Sequence, residues 1–281
     1  MNSGIHIKNK EEFEAKLAKI KQDGKNNLHV IADFDKTLTH AVINGQLAHS
    51  TFRLVEESGA FGSSFAEKTK VLLEYYLPIE LSHSIAVHEK EKHMGDWTKQ
   101  VLQMLAEHRL NEKIIDTIIQ DNRLKLRPGC TQFLDKLAAE NIPLLILSAG
   151  LGDVITKGLL NHNKLYSNTQ IISNFFEFDH TGTVTGHKEP LIHSMNKTGL
   201  LIKKHQYHKI IANKTNILLL GDLPEDTNMI EDLEHECVLK IGFLNNRKDS
   251  LSKYLDTYDA VIENDEDMHF VTEFVLKEIL K

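Results

Sequence analysis

The chain is poor in cysteine: 281 residues hold two, Cys130 and Cys237. Two thiols cannot build a dense disulfide framework, so a reducing compartment is the simpler expectation, with both packed as small hydrophobes. No block of Lys and Arg stands out, and the formal net charge is -7. That removes the electrostatic footprint of a nucleic-acid binder. It also gives phosphorylated metabolites no global attraction, so any anion site must be local. No apolar run approaches the length of a membrane span, and the first residues lack the apolar region of a secretion signal. A cytoplasmic protein without membrane or nucleic-acid partners is therefore expected. The sixteen histidines are scattered, with no HExxH or paired-ligand spacing, and are expected mainly on the surface. There is no internal repeat and no low-complexity linker.

What is present is ordinary in amount and informative in order. With 41% hydrophobic and 26% charged residues, the chain can form one large domain or a core with an insert. Glu11 to Lys21 reads as an amphipathic helix, with Phe13, Leu17 and Ile20 at helical spacing. Short apolar runs predict strands at Leu28–Ala32, Pro143–Leu147, Gln170–Ser173, Asn216–Leu220, Val238–Phe243 and Ala260–Ile262. Helical patterns cover Gly152 to Leu160, Glu225 to Leu233 and Met268 to Leu280. Phe175 to His187 suggests a hairpin or extended excursion. Residues 41–124 differ in character: they are mainly helical, as in Phe65–Tyr76 and Thr98–Glu107, and lack the strand runs. Apolar strands alternating with helices imply a parallel sheet covered on both faces, an α/β fold. We expect an α/β core over residues 1–40 and 125–281, and a helical cap over 41–124.

The most informative segment is Val30-Ile31-Ala32-Asp33-Phe34-Asp35-Lys36-Thr37-Leu38-Thr39. Along an extended strand, residues i and i+2 point the same way. Asp33 and Asp35 therefore leave the strand end on one side. Two neighbouring carboxylates need a cation or a proton between them. The pair suits metal-assisted phosphoryl transfer, one carboxylate attacking and the other moving protons. A turn rich in Asp and Thr is the plainer alternative. Ser148 and Asp222 also sit at strand ends, where ligands of parallel sheets bind. Ser148 with the amides of Ala149 and Gly150 can bind phosphate oxygens at a helix start, or Ser148 can simply cap the helix.

Asp-x-Asp-x-Thr after an apolar strand resembles the first motif of the haloacid dehalogenase (HAD) superfamily. Further segments resemble the pyrimidine 5′-nucleotidase (cytosolic 5′-nucleotidase type III) family: Tyr75-Tyr76-Leu77-Pro78-Ile79-Glu80, His93-Met94-Gly95-Asp96-Trp97, Leu147-Ser148-Ala149-Gly150-Leu151-Gly152-Asp153, Leu191-Ile192-His193 with Asn196-Lys197, and Lys240 to Asn245. The resemblance implies a HAD core with a cap after the first motif. It implies Asp33 as nucleophile and Asp35 as acid and base. A Mg²⁺ ion would be held by Asp33, Asp222, the backbone carbonyl of Asp35 and the support of Asp226. Lys188 is the candidate fixed positive charge, with Lys204, Lys209 and Lys214 competing. Glu80 is the candidate base contact, and Trp97 a stacking partner. Phe52 and Arg53 stand where the family carries a His-Asn pair. The implied activity is hydrolysis of nucleoside 5′-monophosphates, pyrimidines preferred, through an aspartyl-phosphate. The alternatives are a phosphoserine phosphatase-like enzyme, or a non-catalytic binding protein on the same scaffold.

Overall fold

The computed structural model describes residues 4–82, 84–245, 251–263 and 267–281. A short strand, β1 (Ile5–Ile7), precedes helix α1 (Lys10–Asp23). Asn9 opens α1 by accepting the amides of Glu11 and Glu12, which gives a partner to two of the amides that a helix start leaves unpaired. Phe13, Leu17 and Ile20 are its buried face, and Gly24, at φ 80°, ends it.

Strand β2 (Leu28–Ala32) is buried throughout and lies between β5 (Leu144–Leu151) and β9 (Asn216–Gly221). The seven-stranded sheet runs β1-β11-β10-β9-β2-β5-β6, with β6 at Thr169–Asn174, β10 at Cys237–Leu244 and β11 at Ala260–Glu263. All neighbouring pairs are parallel except β1 with β11. Period-two alternation feeds two cores. Val30, Ala32, Leu218 and Leu220 face α1 and α6 (Cys130–Ala139). Ile31, Ile217 and Leu219 face the opposite layer, which includes Ile202 of α8 (Gly199–Lys204) and Tyr207 of α9 (Tyr207–Ile211). Each fully buried Leu or Ile contributes about 1.5–3 kcal/mol of transfer free energy, so shifting β2 by one residue would cost several such terms.

The insert begins with a hairpin, β3 (Val42–Ile43) and β4 (Gln46–Leu47), turned by Asn44 and Gly45 at positive φ, as a tight two-residue connection requires. Helices α2 (Thr51–Glu56), α3 (Gly62–Leu81), α4 (Val87–Glu107) and α5 (Glu112–Gln120) follow. α3 packs on α4, whereas α5 packs on α7 (Gly152–Asn161) of the sheet layer. A Cβ at Gly158 would touch Leu124 at 3.1 Å and Ile119 at 3.7 Å. The last part of the 41–124 segment is thus seated on the core. The excursion after β6 is the hairpin β7 (Phe176–Phe178) and β8 (Val184–His187).

The structure departs from the sequence expectations at element ends. β5 runs on through Ser148, Ala149 and Gly150 instead of stopping before them. The segment expected as a helix from Glu225 is a 3-10 helix, Pro224–Ile230. Proline at its start and the Asp226 side chain, which accepts nearby amides, favour a tight turn. After α10 (Leu251–Thr257), the closing helix is a π-helix, Phe270–Leu276, continued by α11 (Lys277–Ile279). Strand β1 was not anticipated; three partly buried residues give too short an alternation. Among the described residues, no helix is long and apolar enough to cross a membrane.

Candidate active site

Asp33 and Asp222 leave the carboxyl ends of adjacent strands. The register pairs Ala32 with Leu220, and the Asp33 amide donates to the Leu220 carbonyl at 3.0 Å. Phe34, between the two motif aspartates, points into the core, as alternation requires. Carboxylate oxygens of Asp33, Asp222 and Asp226 all lie within 4.8 Å of one another, and all three residues are buried. The Lys197 ammonium binds Asp33 Oδ1 at 2.7 Å and Asp226 Oδ1 at 2.6 Å. Burial pushes the Asp33 carboxyl well above its ordinary value; Lys197 opposes this, while Asp226 and Asp222 add to it. For Lys197, burial works against the charge, but Asp226 and Asp33 outweigh it and hold the ammonium above the ordinary lysine range.

Asp226 does more than balance charge. Its Oδ2 accepts the amides of Asp222 and Leu223, each at 3.0 Å. Two tyrosines grip the same loop: Tyr254 donates to the Asp222 carbonyl and Tyr258 to the Leu223 carbonyl, both at 2.5 Å. Gly221 and Gly242 make room for Tyr258. A Cβ at Gly221 would lie 2.6 Å from its hydroxyl, and one at Gly242 also 2.6 Å from its ring. The Leu223-Pro224-Glu225 segment is held in this way.

The Asp35 carboxylate lies outside the acidic cluster and turns to Thr51. It accepts the Thr51 amide at 3.1 Å and the Thr51 hydroxyl at 3.1 Å. Burial raises its pKa and the Thr51 bonds counteract that. Arg127, fully buried, donates to the carbonyls of Thr37, at 2.8 Å, and Lys36, and to Asn245 at 3.0 Å, while its guanidinium sits 4.3 Å from the Phe243 ring centroid. It ties down the loop that carries Lys36 at φ 65°, directly after Asp35.

Ser148 is buried and its Oγ accepts the Gly150 amide at 3.0 Å. That bond occupies one of the amides expected to meet phosphate but leaves the Ser148 hydroxyl proton free to donate. Ser173 and Asn174, at the end of β6, hold the Ala149 and Gly150 carbonyls. Asn174 also pairs with both backbone groups of Ile192, which fixes the path toward Lys197.

The lysine that the structure sets against Asp33 and Asp226 is Lys197 and not the expected Lys188. Lys188 is placed differently. It is exposed, its amide bonds to the Phe175 carbonyl, and its ammonium sits 5.9 Å from the Phe175 ring centroid. Lys204 and Lys209 are also exposed, and Lys214 bonds to the Asn26 carbonyl. Lys197 lies in an irregular loop, where no period shows which way a side chain points. The available signal was its place beside Asn196, whose side chain accepts the His193 amide and donates to the Leu191 carbonyl.

A cavity of about 480 Å³ lies where the insert meets the core. Phe52, Arg53 and Glu56 line it from α2, Glu80 from α3, Trp97 from α4, and Ala149, His193 and Ser194 from the core. Glu80 Oε1 accepts the Ser194 hydroxyl at 2.6 Å, a direct link between the insert and the sheet domain. Trp97 stacks on Tyr76 with centroids 5.6 Å apart and planes 10° apart. Arg53 pairs with Glu57 at 2.6 Å. The Glu56 carboxylate has no hydrogen bond or ion pair among the described residues, and burial, opposed by Arg53, pushes it up to about 7.

The donor set fits a hard divalent cation. Ionised together, Asp33, Asp222 and Asp226 would bring three negative charges and Lys197 returns one, a deficit equal to one dication. Carboxylate oxygens are the ligands Mg²⁺ prefers, and a buried net charge is costly without a counter-ion.

A model of the pyrimidine 5′-nucleotidase family (UMPH-1) matches residues 36–280. The 7-methylguanosine phosphate-specific 5′-nucleotidase A of Xenopus laevis is 32% identical over 269 residues, covering 95% of this chain and 93% of that protein. The crystal structure of cytosolic 5′-nucleotidase IIIB bound to cytidine superposes with a TM-score of 0.91 at 26% identity, covering 99% of this chain and 94% of the other. A substrate-bound phosphoserine phosphatase, at 16% identity and a TM-score of 0.54 over 89% of this chain and 98% of the other, shares the fold.

Proposed function

The chain belongs to the pyrimidine 5′-nucleotidase family, a family of phosphoric monoester hydrolases, and on that premise we propose a cytoplasmic, Mg²⁺-dependent enzyme that hydrolyses nucleoside 5′-monophosphates. The observation that carries this reading is one juxtaposition. A buried acidic cluster with its lysine stands on the sheet, Asp35 two residues after Asp33 is bonded to Thr51, and the next residue, Phe52, lines with Trp97, Glu80 and Ala149 a cavity between the insert and the core.

In the first half-reaction Asp33 attacks phosphorus through its oxygen not bound to Lys197. The Asp33–phosphorus bond forms as the bond to O5′ breaks, and Asp35 gives its proton to O5′. Ser148 and Lys197 hold phosphate oxygens. In the second half-reaction Asp35 takes a proton from water, whose oxygen attacks phosphorus and releases phosphate from Asp33. Asp33, Asp222 and the Asp35 carbonyl would hold Mg²⁺, with Asp226 supporting the loop. Bound there, Mg²⁺ supplies neutralisation of the charge on the transferring phosphoryl group.

The base enters the cavity between Phe52 and Trp97. Glu80 is the acceptor for an exocyclic amino group, once the base displaces Ser194. Cytosine and 7-methylguanine both carry such a group and uracil does not. The cationic ring of 7-methylguanine also gains from aromatic faces and carboxylates. We therefore expect the 5′-monophosphates of cytidine and 7-methylguanosine to be preferred over UMP. Phosphate release from these three nucleotides and from phosphoserine, with and without Mg²⁺, tests the proposal. Faster release from phosphoserine than from any nucleotide would overturn the substrate assignment, and release independent of metal would overturn the metal assignment.

A further inference from the structure

Every hydrogen bond that the Asp35 carboxylate makes among the described residues comes from Thr51. Thr51 is the first residue of α2 and is fully buried. Its hydroxyl accepts the Leu151 amide at 2.9 Å, so its own proton goes to Asp35 Oδ2 at 3.1 Å. A relay thus runs from the backbone of β5 through one hydroxyl to Asp35. The fit is tight: a Cβ at Gly150 would stand 2.2 Å from Thr51 Oγ1 and 3.0 Å from Asp35 Oδ2. The next residue, Phe52, lines the base cavity. One turn of α2 therefore touches the proton-transfer group on one side and the seat of the base on the other.

We propose that Thr51 is a positioning residue that aims the Asp35 carboxyl at the leaving oxygen and ties that aim to occupation of the base cavity through Phe52. The inference rests on the nucleotidase reading for its second half. An acid displaced by an ångström loses most of its effect. Binding energy gained at the base is then spent on orientation at phosphorus, so substrates without a base lose rate as well as affinity.

The test compares leaving groups in single-turnover experiments on the Mg²⁺-loaded protein. Nucleoside release from CMP needs a proton on O5′, whereas p-nitrophenolate leaves without one. In T51V, nucleoside release should fall about 50-fold with KM changed less than about twofold, while the first-turnover burst of p-nitrophenolate falls no more than about threefold. T51S should restore nucleoside release to within about threefold of wild type. Equal loss in both assays, no loss in either, or a T51S protein as impaired as T51V would overturn the positioning role. For the tie to the base, wild-type protein should cleave glycerol 3-phosphate at least about tenfold more slowly than CMP at saturation; equal rates would overturn it. Failure of the nucleotidase reading itself appears in wild-type protein, as absent nucleotide turnover, whereas failure of the Thr51 role appears only in the variants.

Discussion

The acidic cluster and the cavity between the insert and the core are built on opposite plans. In the cluster, Asp33 and Asp226 are buried and both bonded to the buried Lys197, and the loop around them is held by two tyrosines. In the cavity, Glu80 leans on a single serine, Arg53 is exposed, and Glu56 has no hydrogen-bond partner among the described residues. The cluster is preorganised for one charge distribution, as stabilisation of a transition state demands. The cavity keeps polar groups available to a ligand. The difference teaches where change is tolerated: alteration in the first region removes chemistry, and alteration in the second redistributes preference.

Substitutions can break that comparison. Asp33→Asn should lower kcat more than about 10⁴-fold while the protein folds, since an amide cannot replace the attacking carboxylate; a residual rate within tenfold of wild type would contradict covalent catalysis. Lys197→Met should lower kcat by about 10³-fold. It should also cost about 3–5 kcal/mol in denaturant unfolding, because Asp33 and Asp226 are left buried without their cation.

Milder effects belong to the cavity. Trp97→Ala should raise KM for 7-methylguanosine monophosphate about tenfold, with a smaller effect on CMP. Glu80→Gln should shrink the preference for CMP over UMP by a similar factor. Glu56 offers a measurement without substrate. Its folded pKa, about 7, lies above the ordinary glutamate value of 4.5, so the folded state binds more protons in that window. Wild-type stability should therefore decline as pH rises from about 4.5 to about 7, by about 1–2 kcal/mol, and Glu56→Gln should lose that slope in unfolding curves.

Legibility in the sequence divides along the same line. Strands β2 and β9 were readable because both faces are buried, which leaves unbroken apolar runs ending at Asp33 and Asp222. Period-two alternation then put Asp33 and Asp35 on one side. Lys197 is not legible as the charge beside Asp33, and Lys188 takes that expectation instead, because Lys197 reaches Asp33 from an irregular loop whose path is held by the bonds of Asn174 and Asn196. Thr51 was invisible for a related reason. It opens a short helix sixteen residues after Asp35, and nothing local specifies that it folds back onto that carboxylate. Glu80, Trp97 and Phe52 were named by resemblance, and their convergence on one cavity required the packing of α2, α3 and α4.

Asp226 has one further consequence. One of its oxygens meets an ammonium and the other meets two backbone amides, so hydrogen-bond donors surround both. An asparagine of the same shape would have to aim its NH₂ at a donor in either flip state. The position therefore has no neutral stand-in: amide exchange, often treated as the gentlest way to silence a carboxylate, would here set donor against donor and deform the turn along with the charge.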